Sequence, residues 1–179
     1  MNIRQQKNID RFTNVHIRSG FTLVETLVAI SILLIAVVGP MSAISKSLMQ
    51  MTIARDQMIA INLAQEGIEA VRQKRDSNVL EVIAGVPGAS WMSGLNQPRY
   101  KVDLGAVIFC GASCSPLMID AGTGLYGQAL GAVSTPFSRE ISITGGGTIE
   151  RKITSTVGWT RGGVLRKVVV SEAIFNWTN

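Results

Sequence analysis

Histidine is almost missing from this chain: His16 is the single one in 179 residues. Set aside the first twenty residues and none remains. That excludes a Ser-His-Asp triad, a Cys-His nucleophile pair and any histidine-ligated metal site downstream. Cysteine is scarce as well, and two cysteines cannot hold a structural zinc without other strong ligands. Charged residues are only 16% of the chain against 46% apolar, and the mean hydropathy is positive, which excludes both a disordered tail and an ordinary soluble enzyme. No catalytic residue, cofactor or metal is expected, although paired-carboxylate catalysis stays formally open. The length allows one domain plus an appendage.

The basic balance is uneven. Arg4, Lys7, Arg11 and Arg18 against Asp10 place +3 of the total +5 in the first twenty residues. A nucleic-acid binder would keep its basic stripe on the folded body, so no nucleic-acid partner is predicted. From Ser19 to Ser45 the only charged side chain is Glu25. The apolar run is about 20 to 24 residues long, enough at about 1.5 Å per residue to cross a bilayer core of about 30 Å. Cations before it orient the N-terminus toward the cytoplasm. The expected organisation is a basic leader over 1–20, a membrane helix over 21–44, an amphipathic helix over 45–78 and a head over 79–179.

Gly39-Pro40 should kink or melt the first helix, because proline removes the hydrogen bond to the Ala36 carbonyl. Beyond it Ile44, Leu48, Met51, Ala54, Met58, Ile61, Ala64, Ile68 and Val71 recur at gaps of three or four, one apolar stripe on a wettable helix. Arg72, Lys74 and Arg75 suit the negative end of its dipole, and Asp76-Ser77-Asn78 is expected to end it. Composition then changes: fifteen of the eighteen glycines lie between Gly85 and Gly163. Tyr100 to Ile108 alternates as one strand, Ile141 and Ile143 share a strand face, Ile149 to Thr160 alternates, and Val164 to Trp177 is rich in Val, Ile and aromatics. Short Gly-rich links predict an antiparallel meander, and the helix stripe is the natural cover for its apolar face. The fold class expected is α+β.

The most specific string is Ser19-Gly20-Phe21-Thr22-Leu23-Val24-Glu25. A lone acid in a membrane span is costly, so Glu25 needs a partner or a task, or else lies near the headgroups of a plain signal anchor. The segment Ser19 to Val38 closely resembles the type IV pilin and pseudopilin superfamily, whose precursor motif is a glycine, then Phe-Thr-Leu-Val-Glu, then an apolar helix. The resemblance implies cleavage between Gly20 and Phe21 by a prepilin peptidase and methylation of the Phe21 amine. It also implies assembly into a filament in which Glu25 faces the amine of a neighbouring subunit. The partners it implies are other pilin subunits, the peptidase, an assembly platform and the membrane. The location implied is the cytoplasmic membrane first, then a pilus or pseudopilus at the cell surface. Leu63-Ala64-Gln65-Glu66-Gly67-Ile68-Glu69 and Thr156-Val157-Gly158-Trp159 resemble minor pilins of the PilV-like type. Type II secretion and competence pseudopilins share the motif. A secreted β-domain that binds sugar or protein, cut after Ala43-Ile44-Ser45, is the competing reading from another class.

Three other features belong to the downstream part of the chain. Outside the cytoplasm, Cys110 and Cys114 with three residues between them read as a disulfide; buried thiols or a redox pair are the alternatives, and no adjoining cation supports the latter. Gly122-Thr123-Gly124-Leu125-Tyr126-Gly127 satisfies G-x-G-x-x-G, but no helical period follows, so a glycine-rich loop is expected. Trp91, Trp159 and Trp177 are expected in the core or at its edge.

Overall fold

A computed structural model describes residues 20–127 and 133–177. The expected leader, with His16 and its cations, lies almost wholly outside the described residues, up to Ser19. Two compact units divide the chain, Met1–Ser47 and Leu48–Asn179. The fold is α+β: helix α1, Leu23–Ile83, precedes seven strands, and its second half packs on an antiparallel sheet.

In the first unit every described side chain is exposed. The expected melted turn at Gly39-Pro40 is corrected: α1 remains helical through Pro40. Proline forfeits one hydrogen bond, but its fixed φ is itself helical, so the flanking turns continue.

In the second unit the buried face of α1 runs Asp56, Ala60, Leu63, Ala64, Gly67, Ile68, Val71, Arg75, Asn78 and Val79. This corrects the expected stripe. Ala64, Ile68 and Val71 are buried, but Leu48, Met51 and Met58 are exposed. The sheet side of the helix starts with small residues and a carboxylate, which a count of large apolar side chains does not detect. The helix end is corrected too. Asn78 is fully buried and donates its Nδ2 hydrogens to the carbonyls of Trp91 at 3.1 Å and Ser93 at 2.8 Å, so it holds the following loop instead of stopping the helix. The stop comes at Gly85, whose φ is +73°, with Gly85 N–H bonded to Val82 O and Val86 N–H to Glu81 O. That pair of bonds is the Schellman closure, which needs a left-handed residue that glycine adopts without strain.

The strands are β1 Tyr100–Asp103, β2 Ala106–Phe109, β3 Pro116–Ile119, β4 Tyr126–Gly127, β5 Val133–Thr144, β6 Glu150–Arg161 and β7 Val164–Phe175. The single strand expected over Tyr100 to Ile108 is a hairpin, β1 and β2, turning at Leu104 and Gly105 with φ of 49° and 83°. Leu104 sits where alternation asks for an apolar residue, which hid the turn. The meander holds for β5, β6 and β7 only. The other edge of β5 is divided, with β1 meeting it at Ile141 and β3 at Val133, Ser134 and Ser138.

Two apolar clusters fill the space between helix and sheet. One joins Ala60, Leu63 and Ala64 to Leu117, Phe137, Val157 and Trp159; the other joins Ile68, Val71 and Val79 to Trp91, Tyr100, Ile141, Ile153 and Ile174. Trp91 and Trp159 are therefore core residues, whereas Trp177 is exposed. Between the clusters lies Arg139, 1% exposed. Its guanidinium donates to Leu63 O at 2.9 Å and Val102 O at 2.8 Å, and Glu66 stands 3.3 Å away. Such a group is costly to bury unpaired, so these contacts fix where the helix crosses the sheet. Gly67 permits that approach: a Cβ there would lie 2.9 Å from Ser155 Oγ and 3.0 Å from Ile141 Cδ1. Replacing Gly67 by Val should lower the unfolding free energy by about 2 kcal/mol, despite the higher helix propensity of valine. Denaturant unfolding in mild detergent checks this; an unshifted midpoint would contradict the close approach.

Candidate processing and assembly site

Gly20 is exposed and non-helical, and Phe21 follows with 72% of its surface exposed. The helix opens at Leu23, and Thr22 serves as its N-cap. Thr22 Oγ1 accepts the Glu25 N–H at 3.2 Å, and its carbonyl accepts those of Glu25 and Thr26 at 3.1 and 3.2 Å. Thr22-x-x-Glu25 is the capping-box pattern, so the threonine fixes where the helix begins and the acid sits at the third helical position. There the positive end of the helix dipole favours a carboxylate. Cleavage between Gly20 and Phe21 would leave an accessible amine one residue ahead of this cap. Reading the motif from the sequence missed the capping role, although the Thr-x-x-Glu spacing signals it.

The span beyond is prepared for an apolar medium. Thr26, Ser31, Ser42 and Ser45 each donate a hydroxyl to a backbone carbonyl three or four residues earlier, at 2.7, 2.8, 3.1 and 3.1 Å. Hydroxyls bonded in this way need no water. Glu25 differs. It is the one ionisable side chain between Phe21 and Ser45, and among the described residues its carboxylate meets no donor. The large apolar side chains around it, Leu23 and Val24 included, are exposed. Helix α1 is long and apolar enough to cross a membrane.

The other candidate residues lie in the head. Cys110 and Cys114 are joined by a disulfide, with Cα atoms 5.0 Å apart, in the link from β2 to β3. Arg99 donates to Ala112 O, tying that loop to the start of β1. Gly122 to Leu125 of the G-x-G-x-x-G string lie in the turn between β3 and β4, and its last two residues, Tyr126 and Gly127, are β4 itself. Asp120 Oδ1 there accepts the N–H groups of Gly122 and Thr123 and the Thr123 hydroxyl, which hold its pKa below the ordinary carboxylate value, the Thr123 backbone bond most of all. Among the described residues no cluster of three or more His, Cys, Asp or Glu is placed to hold a metal. A groove of about 470 Å³ beside β7 is lined by Glu66, Glu69 and Glu172, but Arg72 binds the last two, at 3.1 Å to Glu69.

Residues 16–39 match a protein-family description, the prokaryotic N-terminal methylation motif. The matched stretch contains Gly20, Phe21, the Thr22 cap and Glu25, and it supports a precursor of the type IV pilin or pseudopilin type. No curated protein and no solved structure matched the chain.

Replacing Thr22 by Ala should cost the helix start about 1 kcal/mol and speed hydrogen exchange of the Glu25 amide by about fivefold, whereas Thr22→Ser should leave it nearly unchanged. Exchange measured in micelles by NMR checks this. Equal rates in all three proteins would remove the cap.

Proposed function

We propose that this chain is a minor structural subunit of a type IV pilus, not an enzyme, made as a precursor and assembled through its N-terminal helix. The observation that carries the proposal is the methylation motif over residues 16–39, whose single carboxylate has no donor of its own among the described residues. The peptidase removes the leader after Gly20, and the new Phe21 amine is methylated. The helix from Phe21 to Val38 then holds the subunit in the membrane, and its basic leader side marks the cytoplasmic face.

Assembly moves this helix from lipid to the core of a filament. Lipid tails and apolar side chains solvate it about equally, so the move gains little from hydrophobic burial. Order comes from packing and from Glu25. A carboxylate and an ammonium about 4 Å apart in a low-dielectric core are strongly coupled, and either one alone there is costly. Glu25 against the Phe21 amine of a neighbour therefore sets a fixed axial offset between subunits. The head supplies the surface that gives the subunit its place. The PilV-like strings on α1 and β6 favour a minor subunit over a pseudopilin of secretion or DNA uptake.

Glu25→Ala and Glu25→Gln should both leave the subunit in the membrane and reduce its share of sheared filaments on the order of tenfold or more, since 1.4 kcal/mol already represents a factor of ten. Immunoblots of membrane and filament fractions check this. Normal incorporation of the Glu25→Gln protein would defeat the charge-pairing role.

A further inference from the structure

Strand β7 is an open edge of the head. It pairs with β6 alone, and no described strand lies on its other side. Its 12 residues carry neither a proline nor a bulge, the usual means of closing such an edge, and the register with β6 is unbroken. The hairpin fixes which backbone groups are open. Arg161 and Val164 flank a two-residue turn, Gly162-Gly163, with φ of 60° and 76°, so they exchange hydrogen bonds. Every second residue from Val164 turns its N–H and C=O to β6, while Leu165, Lys167, Val169, Ser171, Ala173 and Phe175 turn theirs away. The far end agrees: Asn176 N–H bonds Ile149 O on the β6 side, and Arg75 reaches Phe175 O on the other. With Phe175 O taken, the open stretch runs over 165–173, where no such group meets a partner among the described residues.

That stretch is symmetric about Val169. A second copy of β7, turned on a two-fold axis through Val169, sets Leu165 opposite Ala173, Lys167 opposite Ser171 and Val169 opposite itself. All the open groups of both copies then find partners. The same axis sets Val168 opposite Val170 and Arg166 opposite Glu172, twice over. Arg166 and Glu172 share the helix side of the sheet, since they lie across from the core residues Trp159 and Ile153. Centring the axis one residue to either side would set Arg166 against Val170 or Ile174 instead.

The charges beside the edge fit that register. The groove of about 470 Å³ along Val170 and Glu172 holds three acids, Glu66, Glu69 and Glu172. Glu66 has Arg139 at 3.3 Å, whereas Arg72 alone serves both Glu69 and Glu172. Arg75 is paired with Asp76 at 2.6 Å, and Lys74 lies toward Gly94. The groove is therefore one cation short. Arg166 is the converse, a cation without an acid: its buried Nε meets no acceptor among the described residues. Asp56 takes two bonds from Arg161, and Asp103 is on β1, beyond β5. A second copy's Arg166, set opposite Glu172, gives the groove two cations for Glu69 and Glu172. On the outer face Lys167 meets Ser171, and no like charges of β7 fall opposite one another.

We infer that two copies of this chain join edge to edge through antiparallel β7 strands, with Val169 on the two-fold axis, so that one sheet runs across both heads. About ten main-chain hydrogen bonds hold the strands together, and the two Arg166–Glu172 pairs fix their register. The pairing involves the head alone and does not depend on the pilus reading.

The test is disulfide trapping of the mature full chain in excess mild detergent. An introduced thiol is then the free one, because Cys110 and Cys114 are bonded to each other. Val169→Cys should form a covalent dimer under mild copper-phenanthroline oxidation, since its two copies lie about 5.5 Å apart, within disulfide reach. Lys167→Cys or Ser171→Cys alone should give about tenfold less, because about 14 Å of strand separates each from its own copy. Mixed together, those two should give a heterodimer. Adding Ser171→Pro to Val169→Cys should cut the dimer about tenfold, since it removes an N–H that faces away from β6 and leaves the β6 ladder whole. Near-ultraviolet circular dichroism checks that the head stays folded. Arg166→Glu, which faces Glu172 with a like charge, should cut the dimer about as far. Equal yields at 167, 169 and 171, or no dimer at 169, overturn the pairing. A Val169→Cys dimer that survives either Ser171→Pro or Arg166→Glu at full yield overturns it as well.

Discussion

A helix that is apolar on every side cannot be left in water, and that constraint governs the rest of this molecule. From Phe21 to Val38 the large apolar side chains are exposed. Hydrophobic surface of this kind seeks lipid or other helices. The hydroxyls within the span are already satisfied by the helix backbone, so they put up no resistance to either environment. Glu25 alone resists both, since a carboxylate has no place in hydrocarbon without a partner. In the function proposed above, the same feature that complicates storage in a membrane gives assembly its directionality.

The second half of the helix solves a different problem with the same backbone. It meets a sheet on one side only, and the residues buried there include the small ones Ala60, Ala64 and Gly67. Large side chains from the strands fill the space, with Phe137 and Trp159 in contact at a ring separation of 6.0 Å. Apolar packing of this kind is non-directional, so the crossing of helix and sheet is set by polar contacts. Asp56 with Arg161, Arg139 with the Leu63 and Val102 carbonyls, and Arg75 with Phe175 O at 2.9 Å occupy successive levels along the helix. A slip by one turn would leave several buried charges unpaired, a much larger penalty than the apolar contacts would feel.

The span and its motif were legible in the sequence because their signal is composition: one acid in a long apolar run, behind a basic segment. Strands β6 and β7 were legible because Ile153, Val157 and Trp159 alternate with polar residues, and the Gly162-Gly163 turn marks their boundary. The α+β class followed from those two facts. The helix face was less legible. Asp56, Arg75 and Asn78 are buried through ion pairs and hydrogen bonds, which hydropathy scores as surface, while Met51 and Met58 score as core and are exposed. The helix end was masked in the same way, because Asn78 resembles a stop signal yet spends its side chain on the Trp91–Ser93 loop. The divided edge of β5 depends on long-range pairing, about which local alternation carries no information. At the candidate site, Gly20, Phe21 and Glu25 are named by the motif alone, whereas the Thr22 cap, signalled by its spacing to Glu25, was recognised only from its hydrogen bond.

The central claim is that processing occurs ahead of the apolar helix and preserves it. Mass spectrometry of the mature N-terminus tests this most directly. The account predicts a chain that begins at Phe21 and carries one methyl group on its amine. A chain that begins at Lys46, with the helix discarded, or one that retains Met1, would contradict it.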